Sequence, residues 1–310
     1  MEEIKINKES AVLGIPEVEN WPSGHFYSPI ASLEEIERDK ERIFADKTIH
    51  DFPNIDLRFE EQLKLLKKFN AYHDECPFPK ENDTNKGRYY FENNLFGYSD
   101  VVVLYSMMRH YRPKRIIEAG SGFSSAAMLD INDMFFDNSI QLSFVEPYPE
   151  RLYSLLSEKD KTTTSIYECR IQDVDKAIFL SLEANDILFI DSTHVVKVGS
   201  DVNYLVFDIF PLLKPGVIIQ IHDIFFPFEL LQSWALSGRN WSEPHLIRAF
   251  LEHNNAYSIL FWNNFLEKFA REQYIGALPL AANGAGGGSL WLIKNTPTTK
   301  TGGFLRRFFR

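Results

Sequence analysis

Two segments of the sequence place carboxylates and imidazoles directly after short apolar runs. In LFIDSTH, Asp191 follows such a run and His194 comes three residues later; in QIHDIFF, His222 and Asp223 are adjacent after the next run. Side chains of these types support acid–base chemistry at neutral pH, because an unperturbed histidine has a pKa near ~6.5. The two segments predict a reactive centre if the fold brings them together.

We interpret His194 as a general base that takes a proton from a hydroxyl nucleophile, with Asp191 as its catalytic neighbour. Asp191, His222 and Asp223 are also candidate ligands for a divalent metal. Oxygen ligands favour Mg²⁺, whereas the imidazole of His222 shifts the preference toward Mn²⁺ or Zn²⁺. The alternative is structural: the two aspartates cap local turns, and His222 is a hydrogen-bonded core residue.

A glycine turn precedes these segments in the chain. In RIIEAGSGFSS, an apolar run leads through Glu118 into Gly120 and Gly122, whose missing Cβ atoms let a ligand approach the backbone. A dinucleotide-binding turn prefers a third glycine where this chain has Ser125. The Glu118 carboxylate disfavours a pyrophosphate and favours a cation, and the sulfonium and ammonium groups of S-adenosylmethionine (SAM) fit that charge.

Acidic or amide side chains also follow the next two apolar runs. Glu146 ends the second run, where a carboxylate can accept both hydroxyl donors of a ribose. Gln172 and Asp173 follow the third run and could accept from an adenine amino group. Together with the glycine turn, these residues predict a site for an adenosyl cofactor, and Asp191 is expected beside it.

Short apolar runs alternate with helix-like segments from residue 115 onward, which favours a parallel sheet with helices on both faces. We predict strands at 115–119, 142–146, 165–170, 186–191 and 216–222, and helices near 123–133, 149–158, 174–183 and 200–213. Two further runs, 257–262 and 289–294, have no helix-like pattern between them and are expected to pair antiparallel at one sheet edge. The glycine-rich link 283–289 is predicted to be a mobile loop.

The chain is expected to divide into three parts. Residues 1–85 are predicted to be a helical extension that covers the substrate side, with helices after Ser32 and over 57–70. The catalytic domain is expected over 86–296, and residues 297–310 form a basic, aromatic tail.

The composition limits the partners and the location. The 310 residues carry a formal net charge of −10, and an acidic surface repels phosphate backbones, so nucleic acid is not an expected partner. No apolar stretch reaches the roughly 18 residues that a transmembrane segment needs. Two cysteines without CxxC spacing, and an N-terminus without an apolar signal-peptide core, favour a reducing, cytoplasmic location. A homo-oligomer is left open.

The chain resembles the class I SAM-dependent methyltransferases over residues 88–296. EAGSGFSS is similar to the first glycine motif of that family, and Glu146 is similar to its ribose-binding acidic residue. The resemblance implies an α/β, doubly wound, Rossmann-like sheet of seven strands, mostly parallel with an antiparallel terminal pair. The residues that it implies at the methionine end of SAM are Gly120, Ser121, Gly122 and Ser124.

The second group of residues resembles the site of metal-dependent O-methyltransferases of the catechol and macrocin types. Asp191, His194 and the pair His222–Asp223 are similar in placement to residues of that site, although His222 stands where that family usually has a carboxylate. The resemblance implies transfer of a methyl group from SAM to a hydroxyl of a small molecule or glycan.

Two other functions stay open on the sequence alone. One is a NAD-dependent oxidoreductase or epimerase on a related sheet, against which Ser125 and Glu118 weigh. The other is a non-catalytic glycan-binding or assembly module on the same fold. Aromatic side chains after the fifth strand, Phe225, Trp234 and Trp241 among them, could stack on a sugar ring, although core positions are expected more often.

Overall fold

The structure is a computed structural model that describes residues 6–7, 17–18, 21–83, 85–284 and 286–297, with side chains from residue 21 onward. The predicted tail 297–310 lies outside this range except for its first residue, and so does most of the first 20 residues. Within the described range, no helix is both long and apolar enough to cross a lipid bilayer.

The strands form a short antiparallel pair near the N-terminus and one seven-stranded sheet. They are β1 (Ile6–Asn7), β2 (Glu17–Val18), β3 (Arg115–Ala119), β4 (Gln141–Val145), β5 (Ser165–Tyr167), β6 (Ile187–Ile190), β7 (Ile218–Ile221), β8 (Tyr257–Trp262) and β9 (Leu290–Lys294). The order in the large sheet is β5-β4-β3-β6-β7-β9-β8, and only the pairs that include β9 are antiparallel. The predicted mostly parallel α/β sheet with an antiparallel edge is confirmed.

Helices connect the parallel strands as the alternating pattern predicts. They are α1 (Leu33–Ile43), α2 (Phe59–Phe69), α3 (Tyr98–Tyr111), α4 (Phe123–Phe135), α5 (Glu150–Leu155), α6 (Glu158–Thr163), α7 (Lys176–Leu180), α8 (Asp201–Tyr204), α9 (Gln232–Leu236), α10 (Glu243–Glu252), α11 (Asn263–Phe269) and α12 (Arg271–Ala277). The single helix expected over 200–213 is α8 followed by a π turn and a 3₁₀ turn.

The strand order places a crevice between β3 and β6. The chain runs outward from β3 to β4 and β5, then returns to β6 and β7 on the other side. Right-handed crossovers therefore put the two sets of helices on opposite faces, and the strand order reverses between β3 and β6. The ends of these strands touch, because the backbone N–H of Asp191 donates to the carbonyl of Ala119 at 2.8 Å.

The expectation that no helix separates the last two strands was wrong, since α11 and α12 lie between β8 and β9. Each is a seven-residue helix, and Ala270, whose backbone is not helical, separates them. Two short helices with a break between them do not show a sustained helical period in the sequence.

The helical part of the N-terminal extension is divided between the core and the surface. Leu66 and Phe69 of α2 are buried in the same apolar core as the strands, and Arg58, just before α2, donates to the carbonyl of Ile259 at 3.1 Å. In contrast, α1 has no buried residue and lies against α9. The apolar core therefore continues across the predicted boundary at residue 85.

Candidate active site

One cleft of about 1160 Å³ opens at the carboxyl ends of the parallel strands. It collects residues from the ends of four different strands, as expected at the point where strand order reverses. The residues at these strand ends are Gly120, Ser121, Gly122 and Ser124 after β3, Glu146 after β4, Asp191 and His194 after β6, and His222 and Asp223 after β7. The sequence-predicted glycine turn and His–Asp groups therefore share one cavity.

The glycine turn packs directly on the end of β6. Gly120 has φ +81°, and a Cβ at this position would overlap the carbonyl oxygen of Asp191. A residue with a side chain would be strained by the left-handed backbone and would also push the two strand ends apart. Gly120 thus brings the turn and Asp191 into contact at the centre of the crevice.

Glu118 lies beneath the turn rather than among the residues that line the cleft. It is fully buried and accepts hydrogen bonds from the hydroxyls of Ser124 and Ser125. Burial raises the pKa of Glu118 to about 8, even though the serine hydroxyls act in the opposite direction. Ser125 also accepts from the N–H of Gly122 at 3.0 Å, which explains a serine where a dinucleotide turn would have a third glycine.

Glu146 faces the cleft and is bonded to the same turn. One of its carboxylate oxygens accepts from the N–H of Ser121 at 3.0 Å, and the other accepts from the N–H of Tyr148 at 2.9 Å. Each oxygen keeps further lone pairs for a ligand. Arg151 lines the cleft beside Gly122 and adds a cation that the sequence analysis missed.

Gln172 and Asp173 are not brought to the cleft. The Asp173 carboxylate forms a two-point ion pair with Arg170 at 2.8 and 2.9 Å, and the Gln172 amide donates to the carbonyl of Gly199 at 2.9 Å. The chain turns through a short 3₁₀ helix after β5, so these side chains find partners close to their own segment. The adenine contact expected from them has no support in this geometry.

The His–Asp groups converge as the sequence predicts. His194 Nε2 lies 3.2 Å from Asp191 Oδ1 and 3.9 Å from Asp223 Oδ2. His222 Nδ1 lies 3.5 Å from Asp191 Oδ1 and 3.4 Å from Asp223 Oδ1. Ligand atoms of Asp191, His194 and Asp223 all lie within 4.8 Å of one another, which is close enough to bind one metal ion. We refer to Asp191, His194, His222 and Asp223 as the His–Asp cluster.

The charges in the His–Asp cluster shift the pKa values of its members. Burial alone would lower the pKa of His194, but Asp191 and Glu243 outweigh it and raise that pKa to about 10. Burial likewise opposes the charged form of His222, yet Asp191 and Asp223 raise its pKa well above the ordinary value. Burial would raise the pKa of Asp191, but His222 and His194 together hold it well below its usual range.

Glu243 fixes the orientation of His194. Its Oε2 lies 2.8 Å from His194 Nδ1, and both side chains are almost completely buried. The backbone also connects them, because the N–H groups of Ser242 and Glu243 donate to the His194 carbonyl at 3.0 and 3.1 Å. His194 and Asp223 both have a left-handed backbone, with φ +60° and +55°, a conformation that is uncommon outside glycine and concentrated at functional sites.

Asp100, in the first turn of α3, supports the cluster from the side of β9. Its Oδ2 lies 3.6 Å from His222 Nε2, and its Oδ1 accepts from the N–H of Ser289 at 3.0 Å. Gly288 N–H also donates to Asp100 at 3.3 Å, and a Cβ on Gly288 would press against Asp223. The end of the predicted mobile loop is thus bonded next to the His–Asp cluster, and its mobility stays a prediction.

Aromatic residues form the wall of the cleft beside His194. The ring of Trp241 lies 4.4 Å from the His194 ring, and Trp234 packs edge-on against Trp241 and Phe225. These three line the cleft, whereas Phe228 is buried in the core. The guanidinium of Arg239 lies 4.0 Å above the Trp234 ring and 4.9 Å from the Trp241 ring.

Besides Arg151, sequence reasoning missed three important members of the site, Glu243, Asp100 and Arg239. Glu243 and Asp100 lie in the first turns of α10 and α3, where an acidic residue is already favoured by the helix dipole. Arg239 stands in a surface loop. The left-handed backbone of His194 marks it as a residue held by its neighbours, but a backbone angle cannot be read from the sequence.

The comparisons with known proteins concern this same region. The sequence model of a family described as "Methyltransferase domain" matches residues 117–224. A relative from Archaeoglobus fulgidus, described only as an uncharacterized protein, is 38% identical over 166 residues, which are 53% of this chain and 75% of the relative. The family match begins within β3 and ends just after Asp223, so it contains the glycine turn, Glu146 and the His–Asp cluster.

Solved structures with a similar arrangement include two methyltransferases. One, from Podospora anserina with S-adenosylhomocysteine (SAH) bound, has a TM-score of 0.38 and 16% identity. The match covers 63% of this chain and 82% of that one. The O-methyltransferase TomG from Streptomyces achromogenes, in complex with SAM, has a TM-score of 0.38 and 12% identity, covering 84% and 96%. Both TM-scores are low, so the functional argument depends on the family match and on the site itself.

Proposed function

Since the chain belongs to the class I SAM-dependent methyltransferases, we propose that it transfers the methyl group of SAM to a hydroxyl of a small molecule or glycan. The observation that carries this proposal is a single cleft that joins the glycine turn and Glu146 to the His–Asp cluster. Its volume of about 1160 Å³ exceeds the roughly 300–1,000 Å³ of a pocket for one drug-sized ligand, so a cofactor and an acceptor fit side by side.

SAM is proposed to lie over the glycine turn. The backbone of Gly120, Ser121 and Gly122 is open to the cleft. The Glu146 carboxylate, at the end of β4, keeps lone pairs that would accept hydrogen bonds from the ribose hydroxyls. Arg151 supplies a cation for the SAM carboxylate next to Gly122. Glu118 contributes negative charge from beneath the turn once it is ionised.

The reaction is a displacement at the sulfonium methyl. The acceptor oxygen forms a bond to the methyl carbon, the carbon–sulfur bond breaks, and sulfur keeps the electron pair to give SAH. The acceptor hydroxyl must lose its proton, because a neutral hydroxyl is a poor nucleophile. Asp191 lies at the contact between the glycine turn and the His–Asp cluster, so a proton acceptor in that cluster would lie close to a methyl donor bound over the turn.

A divalent cation is proposed to assist this step. The carboxylates of Asp191 and Asp223 and the imidazole of His222, whose Nδ1 lies 3.5 and 3.4 Å from them, make a mixed oxygen and nitrogen donor set that suits Mn²⁺ or Mg²⁺. The ring nitrogens of the buried His222 have carboxylate oxygens 3.4, 3.5 and 3.6 Å away, none of them in hydrogen-bond geometry, so Nδ1 is placed to turn to a cation between Asp191 and Asp223 once it gives up its proton. A cation held there would lower the pKa of the acceptor hydroxyl and align it with the methyl group.

His194 is proposed as the proton acceptor. With a pKa of about 10, its imidazole carries protons on both nitrogens at neutral pH and cannot accept another. Asp191 is one cause of that raised pKa, so a cation bound to the Asp191 carboxylate would lower the pKa of His194 and favour loss of the proton from Nε2, which is then free to act as the base. Glu243 keeps the other nitrogen, Nδ1, protonated and oriented throughout.

Calorimetric titration with SAM and SAH tests the first half of this proposal. Micromolar binding is expected for the unmodified protein, and Glu146→Gln should weaken it about tenfold or more, the loss expected for charge-assisted hydrogen bonds. Asp173→Asn is the matched control and should leave the affinity unchanged, because Asp173 pairs with Arg170 outside the cleft. No binding at millimolar SAM would overturn the proposal.

Transfer of labelled methyl from SAM to a panel of catechols and sugars tests the second half. His194→Gln should abolish turnover while the affinity for SAH stays within about twofold. Equal turnover in this variant would remove His194 from the mechanism and leave the SAM site intact.

A further inference from the structure

We propose that Arg239, whose guanidinium lies over the rings of Trp234 and Trp241, binds an anionic group of the acceptor, so that the acceptor is a hydroxyl compound with a carboxylate or phosphate. This inference rests on the proposed function, because it assigns the substrate class of the same cleft. The observation behind it is a guanidinium in contact with two indole rings at the aromatic wall of the cleft.

The contacts with the two indole rings leave the Arg239 guanidinium able to bind an anion. Its guanidinium lies 4.0 Å over Trp234 and 4.9 Å from Trp241, so the two rings restrict its motion while its N–H edge stays available. Arg239 forms no ion pair with any described residue, and its side chain reaches the cleft while exposed to solvent. A planar, weakly hydrated cation in this state suits bidentate binding of a carboxylate or phosphate.

The position of Arg239 is tied to the reactive centre. The Trp241 ring lies 4.4 Å from the His194 ring at an interplanar angle of 37°, and the next residue, Ser242, donates its N–H to the His194 carbonyl at 3.0 Å. Asn240, on the other side of Trp241, accepts from the N–H of Ala31 at 2.8 Å. The backbone on both sides of Trp241 is therefore hydrogen-bonded, and this places Arg239 two residues from a Trp241 ring that contacts His194.

The charge of the cleft gives this cation a selective role. Carboxylates that line it include Glu92, Asp100, Glu146, Asp191 and Asp223. Among the described residues lining the cleft, the arginines are Arg151 beside the glycine turn and Arg239 at the aromatic wall. His194 and His222 also line the cleft, but they are paired with the carboxylates of the His–Asp cluster. Arg239 is therefore the cation that an anionic acceptor would meet at the aromatic wall, and a neutral acceptor would gain nothing from its charge.

The test is equilibrium binding to the SAH-saturated full-length chain, measured by calorimetry and by the fluorescence of the cleft tryptophans. Three matched sets of probes differ in charge: 3,4-dihydroxybenzoate against its amide, D-glucuronate against D-glucose, and D-glucose 6-phosphate against D-glucose. In at least one set the anionic probe should bind about tenfold tighter or more, the size expected for a charge-assisted contact. The set with the largest ratio identifies carboxylate or phosphate as the preferred group.

Two variants locate the effect. Arg239→Gln should remove the charge preference, and Arg248→Gln should retain it, because Arg248 stacks on Phe52 at 4.9 Å outside the cleft. Equal binding of charged and neutral probes in every set, or a preference that survives Arg239→Gln, would overturn the inference. Titration with SAM separates the two proposals, with the probe titrations repeated on the cofactor-free chain if SAM does not bind. A charge preference without SAM binding refutes only the methyltransferase function, and SAM binding without a charge preference refutes only the role of Arg239.

Discussion

Glu243 and His194, from different elements of the fold, form a buried pair in which Glu243 Oε2 lies 2.8 Å from His194 Nδ1. The other ring nitrogen, Nε2, lies 3.2 Å from Asp191 in the cleft. A carboxylate behind an imidazole fixes both its orientation and its tautomer, and this arrangement is typical of histidines that bind metals or transfer protons. The pair therefore determines which nitrogen of His194 faces the reaction.

Removing the Glu243 charge should lower the pKa of His194 from about 10 toward the ordinary value, because Glu243 is one of the two carboxylates that raise it. Nitrogen-15 NMR of the histidine side chains in Glu243→Gln measures this directly, with His194→Gln used to assign the signal. Glu229→Gln is the matched control, since Glu229 pairs with His245 at 3.2 Å outside the His–Asp cluster. An unchanged pKa of His194 would mean that the pair contributes little.

Divalent metal should stabilise the protein through the two aspartates of the cluster. At Mn²⁺ concentrations about 100-fold above the dissociation constant, binding adds about 2.7 kcal/mol to the free energy of unfolding, which raises Tm by several degrees. The double variant Asp191→Asn, Asp223→Asn should lose this increase, since its carboxylates are the oxygen donors. Asp208→Asn should keep it, because Asp208 only pairs with Lys176 at the surface. No increase in the unmodified protein would remove the metal from the proposal.

Gly120→Ala should destabilise the fold by about 3 kcal/mol or more. The left-handed backbone accounts for roughly 1 kcal/mol of this, and overlap with the Asp191 carbonyl for the rest. Gly238 is an unusually close control, with φ +86° against +81° and no atom within 4 Å of the point that an alanine Cβ would occupy. Denaturant unfolding should therefore show only the backbone penalty for Gly238→Ala, and equal losses in both variants would mean that the strand ends separate easily.

The sequence predicted those parts of the site that local patterns specify. Glycines and acids that end apolar runs place Gly120, Glu146 and Asp191 at one sheet edge, because parallel strands share their carboxyl ends. Glu118 and Asp173 have the same sequence signature, yet one lies beneath the turn and the other pairs with Arg170. Whether an acid at a strand end faces a cleft depends on neighbours that only the folded chain defines.

The sequence could not identify site residues that come from distant segments, for the same reason. Glu243 is 49 positions from His194, and Asp100 meets the Gly288–Ser289 backbone across most of the catalytic domain. Nothing in the local sequence connects either residue to the site, since an acidic residue in the first turn of a helix is already explained by its interaction with the helix dipole. Their roles follow from packing of α10 and α3 against the strand ends.

The buried carboxyl of Glu118 should make stability depend on pH. Its pKa is about 8 in the folded chain, against an ordinary value of 4.5, so between these limits the folded state holds a proton that the unfolded state has lost. Stability from this group is therefore fully present below about pH 4.5 and declines as pH rises through 8, by at most about 1.4 kcal/mol per pH unit.

Glu118→Gln cannot ionise, so its free energy of unfolding should decline less than that of the unmodified protein between pH 5 and pH 9. The difference between the two curves isolates Glu118 from other titrating groups, and urea unfolding at several pH values in the absence of SAM measures it. Asp160→Asn is a useful comparison, because burial would also raise the pKa of Asp160 but its ion pair with Arg88 holds that pKa below the ordinary value, so its effect on stability has the opposite sign. Parallel curves for the unmodified protein and Glu118→Gln would show that Glu118 is already ionised at pH 5 and that its serine hydrogen bonds outweigh burial.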